Sequence, residues 1–102
     1  MEFALTHKGS RATLTIKGEI DESGAEVVKN RFREMDRSSI EEIVLNFKDV
    51  DYIGSSGVGV LLLIYKDVAP TGGIVRVEKV SNDIYDLFLD LEIDTIINIS
   101  KR

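Results

Sequence analysis

Gly54-Ser55-Ser56-Gly57 sets two adjacent hydroxyls between two glycines, directly before the apolar run Val58 to Tyr65. Small hydroxyl residues at the head of a hydrophobic segment suit two kinds of chemistry. A serine oxygen can accept a hydrogen bond from an unpaired N–H in the first turn of a helix, and so cap it. An exposed serine can also be a place where phosphate is bound or attached. Capping accounts for one serine. It leaves Gly57 and Gly59 unexplained, because glycine inside a helix costs about 1 kcal/mol relative to alanine. Those glycines would permit tight packing of helix on sheet, or let another protein's backbone approach closely.

Other chemistries find less support. The segment lacks the G-x-x-x-x-G-K-[ST] spacing and lysine of a phosphate-cradling loop, and it fails G-x-G-x-x-G. A small nucleotide-binding domain stays open as a reading, without an evident Lys or Arg for the phosphates. A serine hydrolase needs a base, and the one histidine, His7, reads as an ordinary strand residue. With no cysteine and a single histidine, a disulfide or thiolate metal site is excluded and metal binding has little footing. Asp49 and Asp51 read as solvated loop carboxylates. No cofactor is expected.

The elements that must position these residues follow from hydrophobic periodicity. Phe3, Leu5 and His7 alternate with Ala4 and Thr6, and Ala12, Leu14 and Ile16 alternate with Thr13, Thr15 and Lys17. With Gly9-Ser10 between them, the two runs predict a hairpin. Ala25, Val28, Phe32 and Met35 predict an amphipathic helix over 22–36. Ile43 to Phe47 is nearly continuous apolar sequence, as in a strand buried on both faces. Residues 49–53 then read as a loop leading into a helix over 55–69, which Pro70-Thr71-Gly72-Gly73 ends. Ile74 to Val80 is a strand, and Ser81 is a candidate N-cap for a third helix carrying Ile84, Leu87, Phe88 and Leu91. Thr95 to Ile99 is a short last strand before a solvated Lys101-Arg102. The order β-β-α-β-α-β-α-β predicts an α/β fold: one domain over 1–102, with a mixed sheet of about five strands packed with about three helices.

On a helical wheel referred to Val58, the residues Leu61, Leu62, Tyr65 and Val68 cluster as the core face, with Ile64 at its edge. Gly59, Leu63, Lys66 and Asp67 point outward, with Val60 beside them. Val60 and Leu63 would then form an apolar contact surface next to the serines, unless other elements cover them.

Composition narrows the class. The chain has 102 residues, is 43% hydrophobic and carries a net charge of −5. That balance argues against broad binding to nucleic acid or to an anionic membrane. The longest apolar run is too short to span a bilayer, and the N-terminus lacks the pattern of a signal peptide. A cytoplasmic, monomeric protein is expected.

Asp51-Tyr52-Ile53-Gly54-Ser55-Ser56-Gly57-Val58-Gly59-Val60-Leu61-Leu62 resembles the signature of the STAS family, the sulfate transporter and anti-sigma factor antagonist domains. Gly18-Glu19-Ile20-Asp21 resembles the family's G-E-[hydrophobic]-D segment before the first helix. The order of elements is similar too, so the resemblance spans the chain. It implies a bacterial anti-sigma factor antagonist rather than an enzyme. Such a protein binds an anti-sigma factor that is also a serine kinase, is phosphorylated by it with ATP and released, and is reset by a phosphatase. The resemblance maps the phosphoacceptor to Ser55, with Ser56 as the neighbouring alternative, and Asp21 to a partner-facing loop. Partner contacts are expected from Asp21, Gly54, Ser55, Ser56, Gly57, Gly59, Val60 and Leu63. Many members have Asp where this chain has Gly54, which leaves open a STAS scaffold that is not phosphorylated.

Overall fold

The computed structural model describes residues 1–102. Its strands are β1 (Glu2–Lys8), β2 (Arg11–Ile20), β3 (Glu42–Ile53), β4 (Ile74–Val80) and β5 (Asn98–Lys101); its helices are α1 (Glu22–Glu34), α2 (Ser55–Val68) and α3 (Asn82–Asp90). Short 3-10 turns at Ala69–Thr71 and Ile93–Thr95 complete the chain. The order of elements is the one expected from the sequence. No helix is long and apolar enough to cross a membrane.

The sheet runs β1-β2-β3-β4-β5, antiparallel between β1 and β2 and parallel thereafter. Each strand lies beside the one before it. Right-handed crossovers that always step in one direction place every helix on the same face. The core follows that rule. Ala12, Leu14, Ile16, Ile43, Leu45, Phe47, Val75 and Val77 point to one side and form one cluster with Ala25, Val28 and Phe32 of α1, Val60, Leu61 and Ile64 of α2, and Ile84 and Phe88 of α3. The Phe47 and Phe88 rings meet with centroids 6.3 Å apart.

The other sheet face carries Thr13, Thr15, Asn46, Arg76 and Glu78, all half-buried, and no helix covers it. Here the reading of β3 as buried on both faces is corrected. Val44 is 4% exposed yet lies outside the main cluster, screened by its neighbours in the sheet. On this face Glu42 ties three strands together: Arg11 Nε donates to one carboxylate oxygen and Arg76 Nε to the other, each at 2.6 Å.

Several boundaries differ from the sequence reading, each for a local reason. β3 continues through residues 49–53, which had read as a loop. Charged Lys48, Asp49 and Asp51 break its apolar pattern, but pairing with β2 persists as Lys17↔Asp49, Gly18↔Val50 and Ile20↔Ile53. Register shifts on either side of Lys17 and Gly18 disturb the alternation, and Gly18 takes φ 101° there, a conformation costly for any side chain. α1 stops at Glu34, and Met35 is its C-cap in extended conformation. Leu91 is 51% exposed, since α3 has already ended at Asp90. The last strand begins at Asn98, because Ile93–Thr95 turns as a 3-10 segment, and it takes in Lys101. Ser81 caps α3 as expected, accepting from Ile84 N–H at 3.3 Å.

The paired arginines hold the Glu42 carboxyl below its usual range, through hydrogen bonds from Arg76 and then Arg11. A depressed folded pKa stabilises the protein above the ordinary glutamate range, and the contribution is lost as pH falls through it. The Glu42 side chain is 17% exposed but its partners are 60% and 40% exposed, so screening keeps the effect small. Glu42→Gln is expected to cost about 1 kcal/mol at neutral pH. The melting curves of the two proteins should converge in acid. A constant gap at all pH values would assign the loss to packing rather than charge.

Candidate functional site

The two motif segments meet at the carboxyl ends of β2 and β3. Ile20, the last residue of β2, lies opposite Ile53, the last residue of β3. Gly54 N–H donates to the Ile20 carbonyl at 3.0 Å. Asp21 follows Ile20 and Ser55 follows Gly54, so this bond holds the starts of α1 and α2 side by side.

Asp21 is the N-cap of α1. Its carboxylate accepts from Gly24 N–H at 2.8 Å and from the Ser23 hydroxyl at 3.2 Å. These bonds, led by the one from Gly24, hold its pKa below the usual aspartate value. α2 begins differently. Its N-cap is Gly54, in extended conformation, and no side chain caps it. The capping account of the serines therefore fails. Ser55 and Ser56 are the first residues of the helix, and both are exposed. The leading N–H groups of α2 thus have no side-chain acceptor, and they stand at the positive end of the helix dipole, a setting that favours an anion.

The glycines divide the two roles open to them. A Cβ on Gly57 would lie 2.6 Å from Ile53 Cγ1 and 2.8 Å from Ile20 Cγ2, so the helix rests directly on the ends of both strands. A Cβ on Gly59 would have nothing within 4 Å. Gly57 is therefore a packing residue, and its placement among partner contacts is corrected. Gly59 lies open on the outer surface.

Val60 is also corrected. It is 8% exposed and belongs to the core. The buried stripe of α2 is Gly57, Val60, Leu61, Ile64 and Val68. A wheel weighted by apolar side chains cannot register Gly57, the point of closest approach, and so it was rotated toward Leu62 and Tyr65. Both of those are half-buried. Leu62 and Leu63 line a shallow depression with Arg33, Gly59, Lys66 and Asp67. Leu63 thus keeps its outward place, with Leu62 beside it.

Two neighbours went unrecognised in the sequence. Tyr52 is 51% exposed, and its hydroxyl would lie 3.0 Å from a Cβ on Gly54. Its place within the motif was the available signal. Val27, 43% exposed, lines an open depression with Asp21, Glu22, Ser23, Glu26 and Asn30. The amphipathic pattern of α1 left it on the polar side. No cluster of three or more His, Cys, Asp or Glu has the arrangement of a metal site.

Comparison with known proteins bears on this arrangement. The STAS domain model matches residues 2–102. The anti-sigma-B factor antagonist of Bacillus subtilis is 30% identical over 89 residues, covering 87% of this chain and 81% of that protein. The anti-sigma F factor antagonist of Paenibacillus polymyxa is 28% identical over 88 residues, covering 85% of this chain and 75% of that protein. Among solved structures, the Bacillus cell fate determinant SpoIIAA in its phosphorylated form superposes with a TM-score of 0.77, at 17% identity over 99% of this chain and 93% of that one.

The two glycines should separate in a stability measurement. Gly59→Ala adds a methyl to open space inside a helix and is expected to stabilise by about 0.5–1 kcal/mol. Gly57→Ala gains the same propensity but overpacks Ile20 and Ile53 at about 1–3 kcal/mol, for a net loss of up to about 2 kcal/mol. Denaturant melts of both variants measure the difference, and equal effects would refute the close contact.

Asp21 can be tested at fixed geometry. Asparagine caps nearly as well as aspartate, whereas alanine does not. Asp21→Ala should lower the melting temperature at neutral pH and Asp21→Asn should lower it much less. Equal drops would place the stabilisation in the charge instead of the cap.

Proposed function

The chain belongs to the STAS domain family, and from that premise we propose that it is an anti-sigma factor antagonist switched by phosphorylation of Ser55. Unphosphorylated, it captures an anti-sigma factor that is also a serine kinase. That partner transfers phosphate from ATP to Ser55 and releases the chain, and a phosphatase restores it. The protein acts as a binding module rather than as an enzyme. The observation that carries the reading is the exposed Ser55 on an uncapped helix start, tied through Gly54 and Ile20 to the Asp21 segment.

The physical chemistry is that of a switch that spares the fold. A phosphoserine adds roughly −1.5 to −2 charges. At the head of α2 the uncapped N–H groups and the dipole accommodate that charge. Neither serine is buried, so added bulk displaces no core residue. The partner is read as covering the first turns of α2, with Gly59 and Leu63 beside the serines and Asp21 across the strand ends. A bulky anion at Ser55 would sit within that contact and weaken it.

Incubation with the cognate kinase and ATP is expected to place one phosphate on Ser55, measured by mass spectrometry. Ser55→Ala should keep affinity for the kinase. Ser55→Asp should weaken it at least about tenfold, or about 1.4 kcal/mol. Phosphate on Ser56 alone would move the site by one residue. No phosphate on either serine, with equal binding by both variants, would favour a STAS scaffold that is not phosphorylated, the reading that Gly54 keeps open.

A further inference from the structure

β1 is an unguarded edge. It forms one border of the sheet, and six of its seven residues are exposed. Its pairing with β2 is regular from Glu2↔Lys17 to Lys8↔Arg11, with no bulge. It contains no proline, and no element covers its outer edge in the sheet order. The opposite border is blunted. β5 has only four residues, its register with β4 shifts, and Lys79 beside it takes φ 61°. Long regular edges invite another strand.

The geometry of the hairpin fixes which backbone groups point outward. Gly9-Ser10 is a two-residue turn, with Gly9 at φ 61°, and such a turn closes on a hydrogen-bonded pair, Lys8↔Arg11. Bonded and non-bonded pairs alternate in an antiparallel ladder. Glu2, Ala4, Thr6 and Lys8 therefore spend their N–H and C=O groups on β2. Phe3, Leu5 and His7 direct theirs outward.

We propose that two copies of this chain pair through β1, antiparallel, about a two-fold axis at Leu5. This register sets Leu5 against Leu5 of the second copy, and Phe3 against His7 in both directions. All three outward-pointing residues then form hydrogen-bonded pairs, each exchanging two bonds. The same register sets Glu2 opposite Lys8, twice, on the uncovered sheet face. Ala4 faces Thr6. Sliding either strand by two residues loses a bonded pair and both charge pairs. Leu5, 40% exposed in the single chain, meets its own image on the helix-bearing face, where its neighbour across the hairpin is buried Leu14. Backbone satisfaction, apolar contact and charge complementarity thus all select one register and one occupant, a second copy. The joined sheet has ten strands. The contact is small for an interface, so the dimer is reversible and populated at high protein concentration. The pairing would add a reversible dimer to the expected monomer, and it does not depend on the serine switch.

Sedimentation equilibrium from low micromolar to near-millimolar protein tests this. The wild-type chain should show a monomer–dimer equilibrium. Glu2→Lys and Lys8→Glu each replace two attractive contacts by two repulsive ones, and each should weaken self-association at least about tenfold. Mixed in equal amounts, the two variants should associate with each other as well as the wild type does. Leu5→Pro removes an outward N–H without touching the ladder to β2, and should abolish the dimer while thermal melting still shows a folded domain. A wild-type chain that stays monomeric throughout overturns the proposal. So does self-association that ignores the charge changes, or a mixture that fails to pair.

Discussion

The contact between Gly57 and the paired ends of β2 and β3 sets the rest of the site. Ile20 and Ile53 lie side by side, and a helix can settle on them only where it has no side chain. Once Gly57 rests there, the rotation of α2 is determined. Val60, Leu61, Ile64 and Val68 follow at helical spacing and fall into the core. Ser55, Ser56 and Gly59 are turned outward by the same rotation. The bond from Gly54 N–H to the Ile20 carbonyl then fixes how far α2 stands from the start of α1. One missing Cβ thus decides both what the helix buries and what it offers.

A second constraint acts at the level of topology. Strands that always advance in one direction leave three helices on one face and none on the other. Loops at the carboxyl ends of β2 and β3 must then lead into helices on the same side, which is why the Asp21 and Ser55 segments emerge together. The uncovered face cannot be apolar. Around Val44 it is built mainly from threonine, asparagine and charged residues, with Glu42 clamped between two arginines across three strands. The layout also leaves β1 as a border strand with nothing beyond it.

Much of this was legible in the sequence, and what was not has a physical cause. Alternation in β2, the apolar run of β3 and the capping serine before α3 each carry a local signal, and those elements came out in place. The far half of β3 did not, because charged residues and two register shifts hide its pairing with β2. The direction of α2 was misread because the residue that aims it has no side chain for a hydrophobic pattern to count. Val60 therefore belonged to the core and not to the contact surface, and Gly57 to the strand ends. The serines were correctly placed at the helix start. That they do not cap it became visible only with Gly54 in the N-cap position. The edge character of β1 depends on strand order, which periodicity along one segment does not contain.

The difference between the two helix starts carries the functional argument furthest. α1 is capped by a carboxylate: Asp21 accepts from the Gly24 N–H, and that bond holds its pKa below the usual aspartate value. α2 is left open, with glycine where a capping side chain would stand. Glycine at an N-cap gives up only a few tenths of a kcal/mol relative to a capping residue, so the fold tolerates the vacancy. Of the two adjacent helix starts, α2 is the one left without a side-chain cap, and it opens on two exposed serines. A phosphate on Ser55 would also stand near Asp21, and like charges brought together favour neither. On that reading the added charge would be accommodated by α2 yet would make the combined surface more anionic. A partner whose surface had matched one carboxylate and a neutral helix start would have to solvate or avoid the new charge. On the proposed reading, the cost of phosphorylating Ser55 would fall on the complex, which is where a switch must place it.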